Sequence, residues 1–239
     1  MQSELLRHYD DKYRSSDFKE VKPIIVTGHP RDRFQAAVHW CGSGENYLEI
    51  GAGSGNVMLS NRNKFKNAVG VELSQTRIPE LKKLFLNDDG VKIISGNVED
   101  YNLELQENYF DWIVMIAVIE HLVEPISALK YLRKLLKPGG KILIDTPNIA
   151  KWTRRIKLLF GFFPSTASLN EGLRMYDKKT QTDLFDEGHL HYFTYRSLSK
   201  MLIERSGYSE VSKCSYGSYG VLTQLLPNLF SECIVIATK

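Results

Sequence analysis

The chain has 239 residues, of which 43% are hydrophobic and 25% charged, and its formal net charge is +3. This length and balance predict one globular domain with a sizeable core and argue against a fibrous or disordered chain. So small a net charge gives no argument for a nucleic-acid partner. The polar first residues and the lack of a membrane-spanning apolar run predict a cytoplasmic protein. The cysteines, odd in number and far apart, favour neither a disulfide framework nor a zinc site.

Short apolar runs alternate with helical patterns from residue 44 to residue 146. Residues 1–43 predict an N-terminal helical segment, with a helix over 31–40 that has Pro30 in its first turn. Residues 137–140 (KPGG) predict a helix stop and a turn. Alternation of this kind predicts an α/β fold whose parallel sheet is covered by helices on both faces. The predicted strands are 46–50, 68–72, 91–95, 110–116 and 141–145, and the predicted helices are 56–63, 78–87 and 126–136.

The pattern changes after the core segment 44–146. Residues 147–192 carry no clear strand and are too long for a simple connection, so they predict a helical lid or substrate-binding insertion. Residues 193–239 predict a helix over 195–206 that ends at Gly207, followed by strands at 211–216 and 233–237. We therefore expect a single domain, 1–239, built from these segments.

Residues 47–56 read YLEIGAGSGN and form the most informative stretch of the chain. An apolar strand ends there in a turn whose glycines, Gly51, Gly53 and Gly55, let the backbone bend tightly and approach a ligand. In α/β sheets such strand-to-helix turns bind nucleotide-like ligands. The spacing is G-x-G-x-G, which differs from the G-x-G-x-x-G of dinucleotide sites.

Two carboxylates flank this turn. Glu49 directly precedes the glycines, where it would repel a pyrophosphate and attract a cation. Glu72 ends the next predicted strand, 72 − 51 = 21 positions after Gly51, where an acid accepts hydrogen bonds from ribose hydroxyls. A ribose-bearing cation without phosphates suits both acids, and S-adenosylmethionine is such a ligand.

Several blocks in order carry a family resemblance: LEIGAGSGN, VGVELS, GNVED, FDWIVMIAVIEHL and LKPGGKILIDTPN. Across residues 40–150, and more weakly across 186–208, the chain resembles the class I S-adenosylmethionine-dependent methyltransferases. Within them it is similar to the branch that includes the ubiquinone-biosynthesis O-methyltransferases and related small-molecule and glycan methyltransferases. The resemblance implies a Rossmann-like, seven-stranded, mostly parallel sheet whose last strand is antiparallel.

The resemblance also implies a set of cofactor-binding residues. At position 97 the family often has Asp, so the adenine amino group would here meet an uncharged amide. The matching residues are Glu49, Gly51, Gly53 and Gly55 for the methionine portion, Glu72 for the ribose, Leu73, Asn97 and Val98 for the adenine, and Ile116 and Ala117 for the pocket wall.

Histidines are the candidate bases for activating a hydroxyl acceptor, because their pKa lies near neutral pH. His121 follows the fourth predicted strand, at the sheet edge where a substrate should lie, and the resembled branch commonly has His there. A helix-capping or packing role is the alternative for His121. His189 and His191 stand two residues apart, so in a strand both face one side. Together with acids at 183, 186 and 187 they match no strong zinc motif, and we expect substrate contact rather than a metal.

Residues 151–163 (KWTRRIKLLFGFF) combine basic and large apolar side chains. One interpretation is a basic amphipathic helix in peripheral contact with a membrane, or the mouth for a phosphorylated or lipid-linked substrate. The favoured alternative is a lid helix that packs on the core and keeps a solvated basic face. Tyr9 and Tyr13 are candidates to close over the cofactor.

The sequence thus predicts an S-adenosylmethionine-dependent methyltransferase that O-methylates a small molecule, a glycan or a lipid-linked acceptor. An NAD-dependent oxidoreductase is disfavoured by the glycine spacing and by Glu49. A catalytically silent cofactor-binding protein is the other alternative, but the cofactor motifs are intact. A nucleic-acid substrate is not expected, because no Asn/Asp-Pro-Pro-aromatic motif ends the fourth strand.

Overall fold

The computed structural model describes residue 10 and residues 21–166 and 188–239. The strands of this part form one seven-stranded sheet in the order β3-β2-β1-β4-β5-β7-β6. Strands β1 to β5 pair in parallel, and β7 runs antiparallel to both β5 and β6. The predicted mostly parallel sheet with an antiparallel last strand is confirmed. The strands are β1 (Gly44–Ile50), β2 (Phe65–Glu72), β3 (Val91–Ser95), β4 (Phe110–Ile116), β5 (Leu136–Thr146), β6 (Glu210–Cys214) and β7 (Cys233–Thr238).

Helices and helical turns connect the strands. Helix α1 begins after Asp32, whose carboxylate accepts hydrogen bonds from the backbone N–H groups of Phe34 and Gln35. Asp32 rather than Pro30 therefore opens this helix, as its side chain satisfies donors that proline cannot. The α-helices of the described residues are α1 (Arg33–Trp40), α2 (Asn56–Asn61), α3 (Ile78–Leu84), α4 (Pro125–Leu135), α5 (Trp152–Leu159), α6 (Tyr195–Lys200), α7 (Val221–Leu225) and α8 (Pro227–Phe230).

Several predicted boundaries are corrected by the structure. The predicted helix 78–87 ends at Leu84, and the predicted strand 211–216 is Glu210–Cys214. Residues 137–140 end helix α4 as predicted, but they belong to strand β5 instead of a turn. A register shift between β4 and β5 accommodates them, and Gly139 adopts a φ of 76° that glycine tolerates. The predicted helix 195–206 is α6 followed by a π-helical turn, Met201–Arg205. Helices α7 and α8 were not predicted, because each spans too few residues to show a period.

Apolar clusters cover both faces of the sheet. Ile113 and Met115 of β4 pack in one cluster with helix α4, whereas Trp112 and Val114 pack in the other with helices α1 and α2. This alternation follows the two-residue period of a strand. It explains why β4 is apolar throughout, since neither face meets water.

Buried ions attach the segment after β5 to strand β7. Glu232 accepts hydrogen bonds from Arg154 Nη1 and Lys151 Nζ, each at 2.7 Å, and from the Asn148 backbone N–H at 2.6 Å. Burial raises the pKa of Glu232, but the neighbouring cations Arg154 and Lys151 hold it at about 2. The start of helix α5 is therefore fixed to the sheet by charge pairing.

Helix α5 agrees only in part with the favoured prediction of a lid helix with a solvated basic face, because Arg155 is exposed but two other basic residues are not. Arg154 and Lys157 are buried, while Leu158 and Leu159 are 55% and 79% exposed and Phe160, just after the helix, is 67% exposed. The reason is the attraction between Arg154 and the buried Glu232. Of the predicted lid at 147–192, residues 167–187 lie outside the described residues.

No helix among the described residues is long and apolar enough to cross a bilayer. The cysteines, Cys41, Cys214 and Cys233, are buried and unpaired.

Candidate functional site

A cavity of about 350 Å³ opens at the carboxyl ends of β1, β2 and β4. Strand β1 pairs with β2 on one side and with β4 on the other, so the cavity lies where the strand order reverses, the usual ligand position in α/β sheets. Gly55 does not line it. The predicted cofactor residues that do line it are Glu49, Gly51, Gly53, Glu72, Leu73, Asn97, Val98, Ile116 and Ala117.

The glycine turn requires left-handed backbone at alternate positions. The φ angles of Gly51, Gly53 and Gly55 are 73°, 55° and 81°. A Cβ atom on Gly51 would lie 2.6 Å from Val118, and one on Gly55 would lie 2.8 Å from Leu81. Gly55 therefore lets the turn pack against helix α3, and its contribution to the cavity is through the shape of the turn.

The carboxylate of Glu72 holds both loops at the cavity edge. Its Oε2 accepts a hydrogen bond from the Gly53 backbone N–H at 2.7 Å, and its Oε1 accepts one from the Ser74 N–H at 2.8 Å. Each carboxylate oxygen has a further lone pair, so Glu72 can still accept from two hydroxyls of a diol. Asp10 accepts a hydrogen bond from Ser74 Oγ at 2.8 Å. Asp10 thus lies beside the loop after β2. Tyr9 and Tyr13, the candidates to close over the cofactor, lie outside the described residues.

Glu49 is a buried acid at the base of the cavity. It is 3% exposed and accepts a hydrogen bond from the hydroxyl of Tyr47 at 2.5 Å. Burial, with a smaller contribution from the charge of Glu72, raises the pKa of Glu49 to about 8. A cationic ligand beside it would stabilise the ionised form, which makes Glu49 a selective partner for positive charge.

Asn97 and Ala117 shape the wall of the cavity. The Oδ1 of Asn97 accepts from the Glu99 backbone N–H at 3.0 Å and caps the short turn Val98–Asp100. One lone pair of that oxygen is left for an adenine amino group. Ala117 has a φ of 52°, a conformation that costs a non-glycine residue about 1–3 kcal/mol and is typical of functional sites. Its N–H donates to the Asp145 carbonyl at 3.0 Å.

Arg33 of helix α1 also lines the cavity, and the sequence reasoning missed it. Its Nε lies 3.6 Å from the carboxylate of the fully buried Asp145. The hydroxyl of Tyr216 donates to the other oxygen of that carboxylate at 2.8 Å. Burial lowers the pKa of Arg33, but the negative charges around it, with Asp145 contributing most, together outweigh burial and raise the pKa. Arg33 is thus a fixed cation suited to a ligand carboxylate, and Asp32 at the helix start was the one sequence signal for its position.

The histidines at 121 and 189 meet at the cavity edge. Nδ1 of His121 lies 2.6 Å from the carbonyl oxygen of Gly188. A carbonyl only accepts, so Nδ1 carries the hydrogen and the lone pair of the neutral ring is on Nε2. His121 lines the cavity, and the ring of His189 is centred 4.7 Å from it. His189 Nδ1 lies 2.6 Å from the hydroxyl of Thr166.

His191 does not join this pair. Of the three candidate histidines only His121 lines the cavity, so His189 and His191 both lie outside its lining. The ring of His191 packs against Phe193 with the centroids 6.3 Å apart. Its backbone N–H donates to the carbonyl of Glu120 at 3.1 Å. His189 and His191, which the sequence predicted to face the same side, therefore have different neighbours.

Glu120, His121 and His189 form a group that could hold a metal ion, with ligand atoms all within 4.8 Å of one another. The acids at 183, 186 and 187 considered from the sequence lie outside the described residues. Burial raises the pKa of Glu120 to about 7, and Thr146 donates a hydrogen bond to it at 2.9 Å. The group is therefore a candidate to bind a divalent cation.

The chain is similar in sequence to known methyltransferases. Residues 25–213 match the family model described as a methyltransferase domain. The chain is similar to the ubiquinone biosynthesis O-methyltransferase of Vibrio vulnificus, at 28% identity over 167 residues, 62% of this chain and 68% of the relative. It is also similar to the enzyme of that name from Cereibacter sphaeroides, at 30% identity over 105 residues, 44% of this chain and 42% of the relative.

Solved structures share the fold at low sequence identity. A SAM-dependent methyltransferase from Archaeoglobus fulgidus aligns with a TM-score of 0.58 and 16% identity over 87% of this chain and 91% of the other. Phosphoethanolamine N-methyltransferase 2 of Haemonchus contortus, in complex with S-adenosyl-L-methionine, aligns with a TM-score of 0.60 and 13% identity over 87% and 52%.

The raised pKa of Glu49 predicts that Glu49→Gln stabilises the protein without ligand at alkaline pH. The folded pKa of about 8 exceeds the ordinary value of 4.5, so the folded state keeps a proton that the unfolded chain releases. Stability is therefore lost as pH rises from about 4.5 to about 8. Glutamine cannot ionise, and we expect the variant to gain free energy of unfolding relative to wild type across this window.

Urea unfolding at pH 5 and pH 8.5 measures this difference. The exposed Glu107→Gln provides the matched control and should change little at either pH. An equal effect of Glu49→Gln at both pH values would show that ionisation of Glu49 is not the cause.

Proposed function

Because the chain belongs to the methyltransferase-domain family, among the class I S-adenosylmethionine-dependent enzymes, we propose that it methylates a hydroxyl group with His121 as the base. The cofactor is S-adenosylmethionine, as the acids and the glycine spacing predicted. The observation that carries the proposal is that His121 lines the same cavity as Glu49 and Glu72. The names of the relatives support methyl transfer to an oxygen atom. The chemical class of the acceptor is part of the proposal.

The residues of the cavity fit this cofactor from end to end. Glu72 would accept the ribose hydroxyls, and Asn97 and Val98 would meet the adenine. Glu49 would face positive charge of the methionine portion, and Arg33 would pair with its carboxylate. When bound, the cofactor supplies a methyl group already activated by its positive sulfur.

The protein's contribution to the transfer is orientation and proton removal. Alignment of donor and acceptor can supply about 7–11 kcal/mol of the barrier. The Gly188 carbonyl holds His121 in the tautomer whose Nε2 accepts a proton, so a hydroxyl beside His121 becomes a better nucleophile as the bond to carbon forms. His189, packed edge-on against His121, would keep that ring in place.

Glu72→Ala is expected to weaken S-adenosylhomocysteine binding by about tenfold to a hundredfold, because charged hydrogen bonds are worth about 1.5–3 kcal/mol each. Calorimetry measures the affinity, with the exposed Glu107→Ala as control. An unchanged affinity in Glu72→Ala would disprove the ribose assignment. Titration with NAD tests the oxidoreductase alternative, and binding of NAD alone would overturn the proposed function.

His121→Asn is expected to lower kcat by about a hundredfold to ten-thousandfold, the usual contribution of a general base. Asparagine keeps a donor to the Gly188 carbonyl, so S-adenosylhomocysteine affinity should stay the same. His191→Asn serves as the control with near-normal kcat. Activity is followed as methyl transfer from radiolabelled cofactor in a screen of phenols, glycans and lipid-linked hydroxyl compounds.

The cluster of Glu120, His121 and His189 requires a separate test of metal dependence. Base catalysis predicts full activity after dialysis against EDTA and a pH–rate profile that loses its acidic limb in His121→Asn. Activity that disappears with EDTA and returns with Mg²⁺ or Zn²⁺ would assign the cluster to a metal ion instead.

The exposed apolar side chains at the end of α5 and just after it favour contact with a hydrophobic acceptor or with a membrane surface. Leu158, Leu159, Phe160 and Phe162 are between 42% and 79% exposed. Contiguous exposed apolar side chains on a soluble domain generally mark an interaction site. We therefore extend the proposal to lipid-linked acceptors reached through peripheral membrane contact of residues 151–163.

Wild-type protein is expected to float with liposomes, and a Leu159→Ser, Phe160→Ser, Phe162→Ser triple variant is expected to stay in solution. The loss follows from removing apolar area that would otherwise be buried in the bilayer interface. The exposed Ile25→Ser, Leu86→Ser double variant, altered elsewhere, is the control and should float normally. Failure of the wild type to float removes the membrane contact from the proposal.

A further inference from the structure

A groove of about 500 Å³, separate from the cofactor cavity, lies among residues of α5, α6 and β6. None of its lining residues also lines the cofactor cavity. Its charged lining is Arg155, Arg196, Lys200, Lys213 and Glu204. The formal charge of the groove lining is therefore 4 − 1 = +3, which equals the formal net charge of the whole chain. Positive charge is therefore concentrated at this groove far more than the composition suggests.

Most of this charge is not neutralised by acids. Lys200 pairs with Glu204 at 3.6 Å, but both side chains are more than half exposed, and such surface pairs are weak. Within the described parts of the chain, no ion pair joins Arg155, Arg196 or Lys213 to a carboxylate. Arg155 donates through Nε to the Ala150 carbonyl at 2.5 Å, which orients its guanidinium group at the groove.

The walls of the groove are held rigidly. The Tyr195 hydroxyl lies 2.7 Å from the Cys214 carbonyl oxygen and 2.6 Å from that of Glu232. Asn148 donates through Nδ2 to the carbonyls of Asn228 and Ser231, at 3.0 Å each. A ligand would therefore meet preformed walls and would not need to order them.

One hydroxyl at the groove has no hydrogen-bond partner. Ser199 lines the groove, and its Oγ is buried without a partner among the described residues. Buried polar atoms are rarely left unsatisfied in folded proteins. The charged lining, with its four cations and one acid, indicates an anionic ligand with several oxygen atoms.

We propose that this groove binds a phosphate or diphosphate group. Arginine guanidinium groups match phosphate oxygens in a bidentate manner, and lysines add point charges. The ligand can be a soluble phosphorylated compound or the headgroup of a lipid. The second source is physically close, since Arg155 belongs to the helix α5 that exposes its apolar face. The assignment does not depend on the chemistry proposed for His121.

The test is calorimetry of the full chain with pyrophosphate at low ionic strength. We expect the Arg196→Gln, Lys213→Gln double variant to bind pyrophosphate at least about tenfold more weakly than wild type, because two charged contacts are lost. The matched control is Lys92→Gln, Lys130→Gln, which removes two exposed cations elsewhere and should stay within about twofold of wild type. S-adenosylhomocysteine affinity should be the same in all three proteins, which shows that the variants are folded.

Three results would overturn the proposal: no pyrophosphate binding by wild type, equal weakening in both double variants, or displacement of pyrophosphate by S-adenosylhomocysteine. Vesicles of phosphatidylglycerol, compared with neutral phosphatidylcholine, then separate the two sources. Pyrophosphate that displaces the protein from the anionic vesicles assigns the groove to a lipid headgroup. Pyrophosphate binding without such displacement assigns it to a soluble phosphorylated compound.

Discussion

The shape of the cavity at the carboxyl ends of the strands depends on the hydrogen bonds of the Glu72 carboxylate. This carboxylate joins the glycine turn after β1 to the loop after β2 through the backbone N–H groups of Gly53 and Ser74. The two strands are parallel neighbours, so their carboxyl ends already meet at one sheet edge. A single acid can then hold both loops and keep lone pairs for a ligand diol. Glycine adopts the positive φ angles of the turn without steric strain because it has no Cβ.

Buried charge is the second constraint on this molecule. Glu49, Glu120 and Asp145 all lie close to the cavity and are at most 3% exposed. A buried acid is costly unless it gains a proton, a donor or a cation. Glu49 and Glu120 have raised pKa values, whereas Asp145 has Arg33 and Tyr216 as partners. The site is therefore prepared for a positively charged ligand before the ligand arrives.

The surface around helix α5 follows from the same rule. Glu232 is buried and needs cations, and Arg154 and Lys151 provide them from the start of that helix. Drawing basic residues inward leaves the leucines and Phe160 facing water. The helix therefore offers an apolar surface beside a cationic groove, and the electrostatics of the interior determine what is presented outside.

The sequence by itself predicted an α/β fold with a mostly parallel sheet and S-adenosylmethionine as the cofactor, and the family resemblance implied the antiparallel last strand. Strand periodicity, the G-x-G-x-G turn and the spacing to Glu72 are local patterns. They can be interpreted without knowledge of the tertiary structure. Only the tertiary structure decided the place of Arg33, the meeting of His121 with His189 rather than with His191, and the outward face of α5. Each of these depends on partners far away in the chain, such as Asp145, Gly188 and Glu232. The physical reason is that burial and charge pairing are set by the folded neighbours, which no local pattern records.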